Sequence, residues 1–178
     1  YAVTGTVNDV MYMGAATGEL VIAKAEARVY LENTNQVYDG AAKSVMVTTD
    51  PSGLTVIITY EGGSLAPSNA GSYGVTALVN ETNWQGGITG SLVIVRGLDT
   101  IAFSNTNQTY DGTIRIVTAV AGSGAPVSLT YNGSPSAPVN AGVYVVTGVV
   151  DAANWSATGV TVLTVGKASQ TISVSAIR

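Results

Sequence analysis

Two aspartates and two tryptophans are the residues of this chain whose types and spacing could do chemistry. Asp39 and Asp111 each sit in a Tyr-Asp-Gly triplet, Tyr38-Asp39-Gly40 and Tyr110-Asp111-Gly112. A loop carboxylate can ligate calcium, but calcium takes about six to eight oxygens. Neither triplet is followed by a run of further Asp or Asn oxygens. The same residues make a turn without a metal, because glycine accepts positive φ and aspartate caps its own backbone. The turn is the preferred reading, with Asp39 and Asp111 kept as the only calcium candidates. Trp84 and Trp155 each follow an asparagine in the loop before a closing strand. An exposed indole is a platform for sugar stacking, whereas a loop indole folded over the end of a sandwich is a packing element. Packing is preferred, and ligand stacking by Trp84 and Trp155 is the alternative.

Catalysis finds little to work with. Histidine and cysteine are both absent, which removes the commonest general base, thiolate chemistry and the usual zinc ligands. The acidic residues are scattered, without the recurrent carboxylate pair of a glycosidase. Gly122-Ser123-Gly124 lacks the strand-to-helix setting of a phosphate loop. No enzyme and no cofactor are expected. Charged residues are 10% of the chain and the net charge is −4, which opposes binding to nucleic acid or to an anionic membrane. No apolar run reaches the ~20 residues that span a bilayer, so direct membrane insertion is not expected either. A positive mean hydropathy of +0.33 implies filled cores under a Thr, Ser and Asn surface, or apolar surface covered by neighbours.

The elements that must position these residues are strands. Leu54, Val56, Ile58 and Tyr60 alternate with Thr55, Ile57 and Thr59, and Tyr73, Val75, Ala77 and Val79 alternate with Gly74, Thr76, Leu78 and Asn80. Period two in β-branched and aromatic runs predicts half-buried strands. They fall near 27–33, 43–49, 54–60, 72–80 and 88–95, with turn signals between them, and predict an all-β sandwich. Pro67 and Pro138 open a connector that continues through Asn-Ala-Gly (Gly71 and Gly142) into strands led by Tyr73 and Tyr144. A tyrosine so placed is expected to act as a tyrosine corner.

The chain repeats itself. Asn33 to Gly40 returns as Asn105 to Gly112, 72 positions on, and Ala66 to Tyr73 returns as Ala137 to Tyr144, 71 positions on. A fixed period of this size signals an array of like units. The phase predicts four segments: 1–24 as the C-terminal half of an upstream repeat, complete repeats at 25–96 and 97–167, and 168–178 as the first strand of a following one. Ala25-Glu26 and Gly97-Leu98-Asp99 leave short linkers between them, as in a semi-rigid array.

At the Tyr-Asp-Gly turn, the Thr-Tyr-(Glu/Asn)-Gly strand ends at 59–62 and 130–133, the Ala-Pro connector and the Asn-Trp loop, the chain resembles the MBG/YDG-type repeats of large bacterial surface proteins. The resemblance covers both full units and both partial ones, and departs from the family's usual Asn-Tyr in having Asn-Trp. It implies immunoglobulin-like sandwiches, an extracellular setting at the cell surface or in a fibre, and use as stalk or adhesin modules. It supplies no catalytic residues. Two other uses are available, a self-assembling fibre built by lateral or strand-edge packing and a glycan-binding module. The expected partners are neighbouring repeats of the same or identical chains, with a host or matrix glycan or protein as a further ligand.

Overall fold

A computed structural model describes residues 1–174, and among these there are strands and turns but no helix. A hairpin of β1 (Ala2–Thr6) and β2 (Ala15–Glu19) comes first. The first full repeat holds β3 (Ala25–Glu26), β4 (Arg28–Glu32), β5 (Asn35–Val37), β6 (Met46–Asp50), β7 (Val56–Tyr60), β8 (Gly71–Val79), β9 (Trp84–Gln85) and β10 (Gly87–Val95). The second holds β11 (Gly97–Leu98), β12 (Ile101–Ser104), β13 (Asn107–Thr109), β14 (Thr118–Ala121), β15 (Ser128–Tyr131), β16 (Gly142–Asp151) and β17 (Trp155–Gly166). The long strands lie within a few residues of the predicted ones. Short strands β3, β5 and β9, with β11 and β13, are too brief to show any period.

The protein is all-β, a tandem of immunoglobulin-like sandwich repeats. In the second repeat β12 pairs antiparallel with β14, forming the small sheet. The larger sheet runs β11-β17-β16-β15, and β13 also pairs parallel with β17. The first repeat follows the same plan, with β4 antiparallel to β6 and a larger sheet ordered β5-β10-β8-β7. The opening segment thus belongs to both sheets in turn. Asn33 and Asn105 make the crossing, at φ 55° and 58°. Asparagine is among the few residues with a side chain that tolerate this left-handed region.

Compactness divides the chain differently from repeat phase. One unit comprises residues 1–34, 44–66 and 73–92, the other 35–43, 67–72 and 93 onward. The second unit therefore contains the whole second repeat together with the Tyr-Asp-Gly turn and the proline connector of the first.

Each repeat buries one set of equivalent side chains. The second unit's core is Val117, Tyr131, Val146, Leu163 and Val165, with Phe103, Leu129, Ala137 and Tyr144 packed against it. Val45, Tyr60, Val75, Leu92 and Ile94 are buried at the corresponding places of the first repeat. Both buried tyrosines keep a polar partner. The Tyr131 hydroxyl accepts the Val117 N–H at 3.0 Å and the Tyr60 hydroxyl accepts that of Val45 at 3.1 Å. This satisfies a backbone donor that burial would otherwise strand.

Phe103 needs a hollow, and glycine makes it. Gly148 and Gly159 are cross-strand partners on β16 and β17. A Cβ on Gly148 would stand 3.0 Å from Phe103 Cζ, and one on Gly159 would stand 2.9 Å from Phe103 Cε2. The first repeat has Leu31, Ala77 and Ile88 where the second has Phe103, Gly148 and Gly159, a smaller side chain in place of the phenylalanine and larger ones in place of the glycines.

The leading segment is the β1–β2 hairpin, and its apolar positions face solvent. Leu20 is 51% exposed and Ile22 70% exposed, whereas the equivalent Leu92 and Ile94 are buried. Of the strand predicted at the far end, residues 168–174 lie in no strand, and 175–178 lie outside the described residues.

Candidate functional site

The Tyr-Asp-Gly turns are built from their own residues. Asp39 Oδ1 accepts the Ala41 N–H at 2.9 Å, and Asp111 Oδ1 accepts the Thr113 N–H at 2.9 Å and its hydroxyl at 2.7 Å. Gly40 and Gly112 follow at φ 89° and 83°. Each carboxylate also faces a cation four residues on, Lys43 at 2.5 Å from Asp39 and Arg115 beside Asp111. The hydrogen bond from the Lys43 side chain, helped by the Ala41 N–H, holds the Asp39 carboxyl below the usual aspartate range. Lys43 has no lysine counterpart in the next repeat, yet Arg115 repeats its charge and place. Among the described residues no three Asp, Glu, His or Cys side chains gather as a metal site.

The turn is tied to the connector. The Lys43 N–H donates to the Pro67 carbonyl at 2.8 Å, and the Arg115 N–H donates to the Pro138 carbonyl at 2.7 Å. Beyond the connector the Tyr144 hydroxyl donates to the Asn140 carbonyl at 2.9 Å. This bond, four residues back along the chain, is the geometry of a tyrosine corner.

These two motifs of the first repeat meet the Asn-Trp loop of the second within one compact unit. The Trp155 ring stands edge-on to that of Tyr38, with centroids 5.1 Å apart and planes at 88°. Asn154 fixes the loop beside the connector: its Oδ1 accepts the Ala70 N–H at 2.8 Å and its Nδ2 donates to Asn69 Oδ1 at 3.0 Å. The backbone joins too, because Gly97-Leu98 pairs parallel with Trp155-Ser156 and the Gly97 N–H donates to the Asn154 carbonyl at 2.9 Å. Arg96 closes the edge, reaching the Asp151 carboxylate and, at 3.3 Å, the Ala152 carbonyl.

The joint leaves no spare room. A Cβ on Gly97 would lie 2.5 Å from Trp155 Cζ3 and 2.7 Å from the Tyr38 carbonyl oxygen. Trp84 sits in a related arrangement in the other unit. Ala25-Glu26 pairs parallel with Trp84-Gln85, the Ala25 N–H donates to the Asn83 carbonyl at 2.9 Å, and Lys24 Nζ donates to the Glu81 carbonyl at 2.7 Å. Sequence reasoning singled out Tyr38 and Trp155 separately and missed Asn154, Asn69 and Arg96. A signal was present, since asparagine precedes both tryptophans and a cation stands at 24, 96 and 167.

Turns closed on themselves and a loop of one repeat seated on the preceding one define a tandem β-sandwich repeat protein. The family model of the MBG domain matches residues 1–26, 27–97 and 99–169, and the chain belongs to that family. It is a repeat module of the kind found in surface proteins, and its family is a structural one rather than an enzyme family. No curated protein matches the chain.

Proposed function

We propose that the chain is a non-catalytic stalk segment of a large extracellular surface protein, its repeats locked in series by joints of the Trp155 type. The observation that carries this reading is the joint itself. An aromatic pair, an asparagine bonded on both sides and a parallel backbone pairing bind Gly97 and Trp155 to the Tyr38 turn and the Asn69-Ala70 connector. Such a joint resists bending because moving the loop breaks several bonds together. Engagement of Trp155 by Tyr38 supports its packing role over sugar stacking.

Stretching the full chain by its two ends tests the stalk. Unfolding one repeat of about 71 residues releases roughly 250 Å of extended chain at ~3.5 Å per residue. We expect discrete steps of that order, with compliance before the first step raised by Trp155→Ala. Smooth extension at low force, indifferent to that substitution, would count against a stalk.

A second reading, lateral association into a fibre, is favoured by one observation. Val143, Val145, Val160 and Val162 are exposed on β16 and β17, with Val145 and Val162 as direct cross-strand partners. The first repeat has Ser72, Gly74, Thr89 and Ser91 at these positions. Concentration-dependent sedimentation that Val145→Thr with Val162→Thr abolishes is the result that reading requires.

A further inference from the structure

A pocket of about 550 Å³ opens at the end of the second repeat, lined by Tyr110, Asn140, Ala141 and the segment 167–170. Each of these is the repeat equivalent of a residue around Trp155. Tyr110 corresponds to Tyr38, Asn140 and Ala141 to Asn69 and Ala70, and Lys167 and Ala168 to Arg96 and Gly97. The supports are also the same, with Asp111 capping its own turn and the Arg115 N–H bonded to Pro138. What differs is exposure. Tyr38 is half-buried beside Trp155, while Tyr110 is 39% exposed.

We propose that this pocket is a receptor for an Asn-Trp loop of another MBG repeat. The occupied joint supplies the chemistry of recognition. The incoming asparagine places its amide between the Asn140 side chain and the Ala141 N–H, as Asn154 does between Asn69 and Ala70. Its indole meets the Tyr110 ring. The Lys167 ammonium takes the carbonyl three residues before the indole, the carbonyl that Lys24 takes from Glu81 and Arg96 takes from Ala152. The loop backbone pairs parallel with Ala168-Ser169. One departure sets the fit. Ala168 carries a Cβ where Gly97 has none, so an indole here seats further out than Trp155 does against Gly97. Alanine at this position still accepts the loop backbone, because Ala25 pairs with Trp84. The inference stands on the joint's geometry and holds whether or not the assembled array bears load.

The test keeps the full second repeat and adds the loop in phase, as residues 1–171 followed by a copy of residues 101–167. Nuclear Overhauser contacts between the Tyr110 ring and the added indole are expected. A double-mutant cycle of Tyr110→Ala against alanine at the added indole is expected to show about threefold to tenfold coupling in the unfolding equilibrium. Ala168→Gly is expected to strengthen that coupling. A second measurement needs no added repeat. The chain itself, titrated with a synthetic peptide of residues 151–157, is expected to shift the amide signals of Tyr110, Ala141 and Lys167 saturably, and a peptide with alanine for the indole is not. Absence of contacts and coupling in the lengthened chain, or peptide shifts located elsewhere, overturns the proposal.

Discussion

The ring of Tyr38 meets that of Trp155 edge to face, at 5.1 Å and 88°, across the boundary between two repeats. Neither residue has this partner within its own repeat. The contact links the Tyr-Asp-Gly turn of one repeat to the Asn-Trp loop of the next.

The aromatic pair should be energetically coupled. Edge-to-face pairs contribute about 0.5–1.5 kcal/mol beyond burial, so a cycle of Tyr38→Ala, Trp155→Ala and the double variant should return a coupling in that range. Denaturant unfolding followed by circular dichroism reads it without relying on the indole. Strict additivity would mean that the rings touch without stabilising the joint. Gly97→Ala should destabilise as much as losing the pair, because the added Cβ collides with both partners.

Removing one phenol oxygen from the core should cost more than its size suggests. Tyr131→Phe keeps the ring but strands the Val117 N–H, now bonded at 3.0 Å. An unsatisfied buried donor costs about 1–3 kcal/mol. The same change at exposed Tyr110 should fall within ±0.5 kcal/mol. Equal effects at the two sites would show that the Tyr131 hydroxyl is not needed.

The glycine hollow predicts a rescue. Gly148→Ala should destabilise by about 1–3 kcal/mol through overpacking against Phe103. Combined with Phe103→Leu, which reproduces the residue types Leu31 and Ala77 of the first repeat, most of that loss should return. Thermal denaturation of the two single variants and the double variant decides it, and a double variant weaker than either single one refutes the exchange.

Acid should weaken the fold in a defined window. Asp39 is held below its ordinary pKa of 3.8 by the Lys43 side chain, Asp99 likewise by the Ser123 hydroxyl, and Glu81 below 4.5 by the Thr55 N–H. A depressed folded pKa means that the unfolded chain binds more protons in acid. The stabilisation is therefore complete above the unfolded values and is lost as pH falls through the folded ones. The urea midpoint should hold level from pH 7 to about 5 and fall below about 4. Asp39→Asn, Asp99→Asn and Glu81→Gln together should flatten that fall. An unchanged acid limb in the triple variant would place the protons elsewhere.

The long strands were legible because their evidence is local. Alternation in Leu54 to Tyr60 and Tyr73 to Val79 fixes which side chains face inward, and the structure buries Tyr60 and Val75 accordingly. Turn chemistry was legible for the same reason, since the Asp39 carboxylate accepts the Ala41 N–H two residues on, across Gly40. The crossing at Asn33 and Asn105 was less so, as a single left-handed residue leaves no period.

Sequence by itself determined the repeat, the β class, the turns and the positions able to form a core, all of which depend on neighbours a few residues apart or on self-similarity. Burial was decided only in three dimensions. Leu20 and Leu92 occupy one repeat position, yet Leu20 is half exposed and Leu92 fully buried, because burial depends on which distant segments pack over a position. The joint was decided there too. The Asn154-Trp155 loop, the Tyr38 turn and the Asn69 connector are three separate motifs, and their meeting depends on that loop reaching a turn and a connector far away along the chain. Local patterns fix conformation, but contacts between distant segments fix partners.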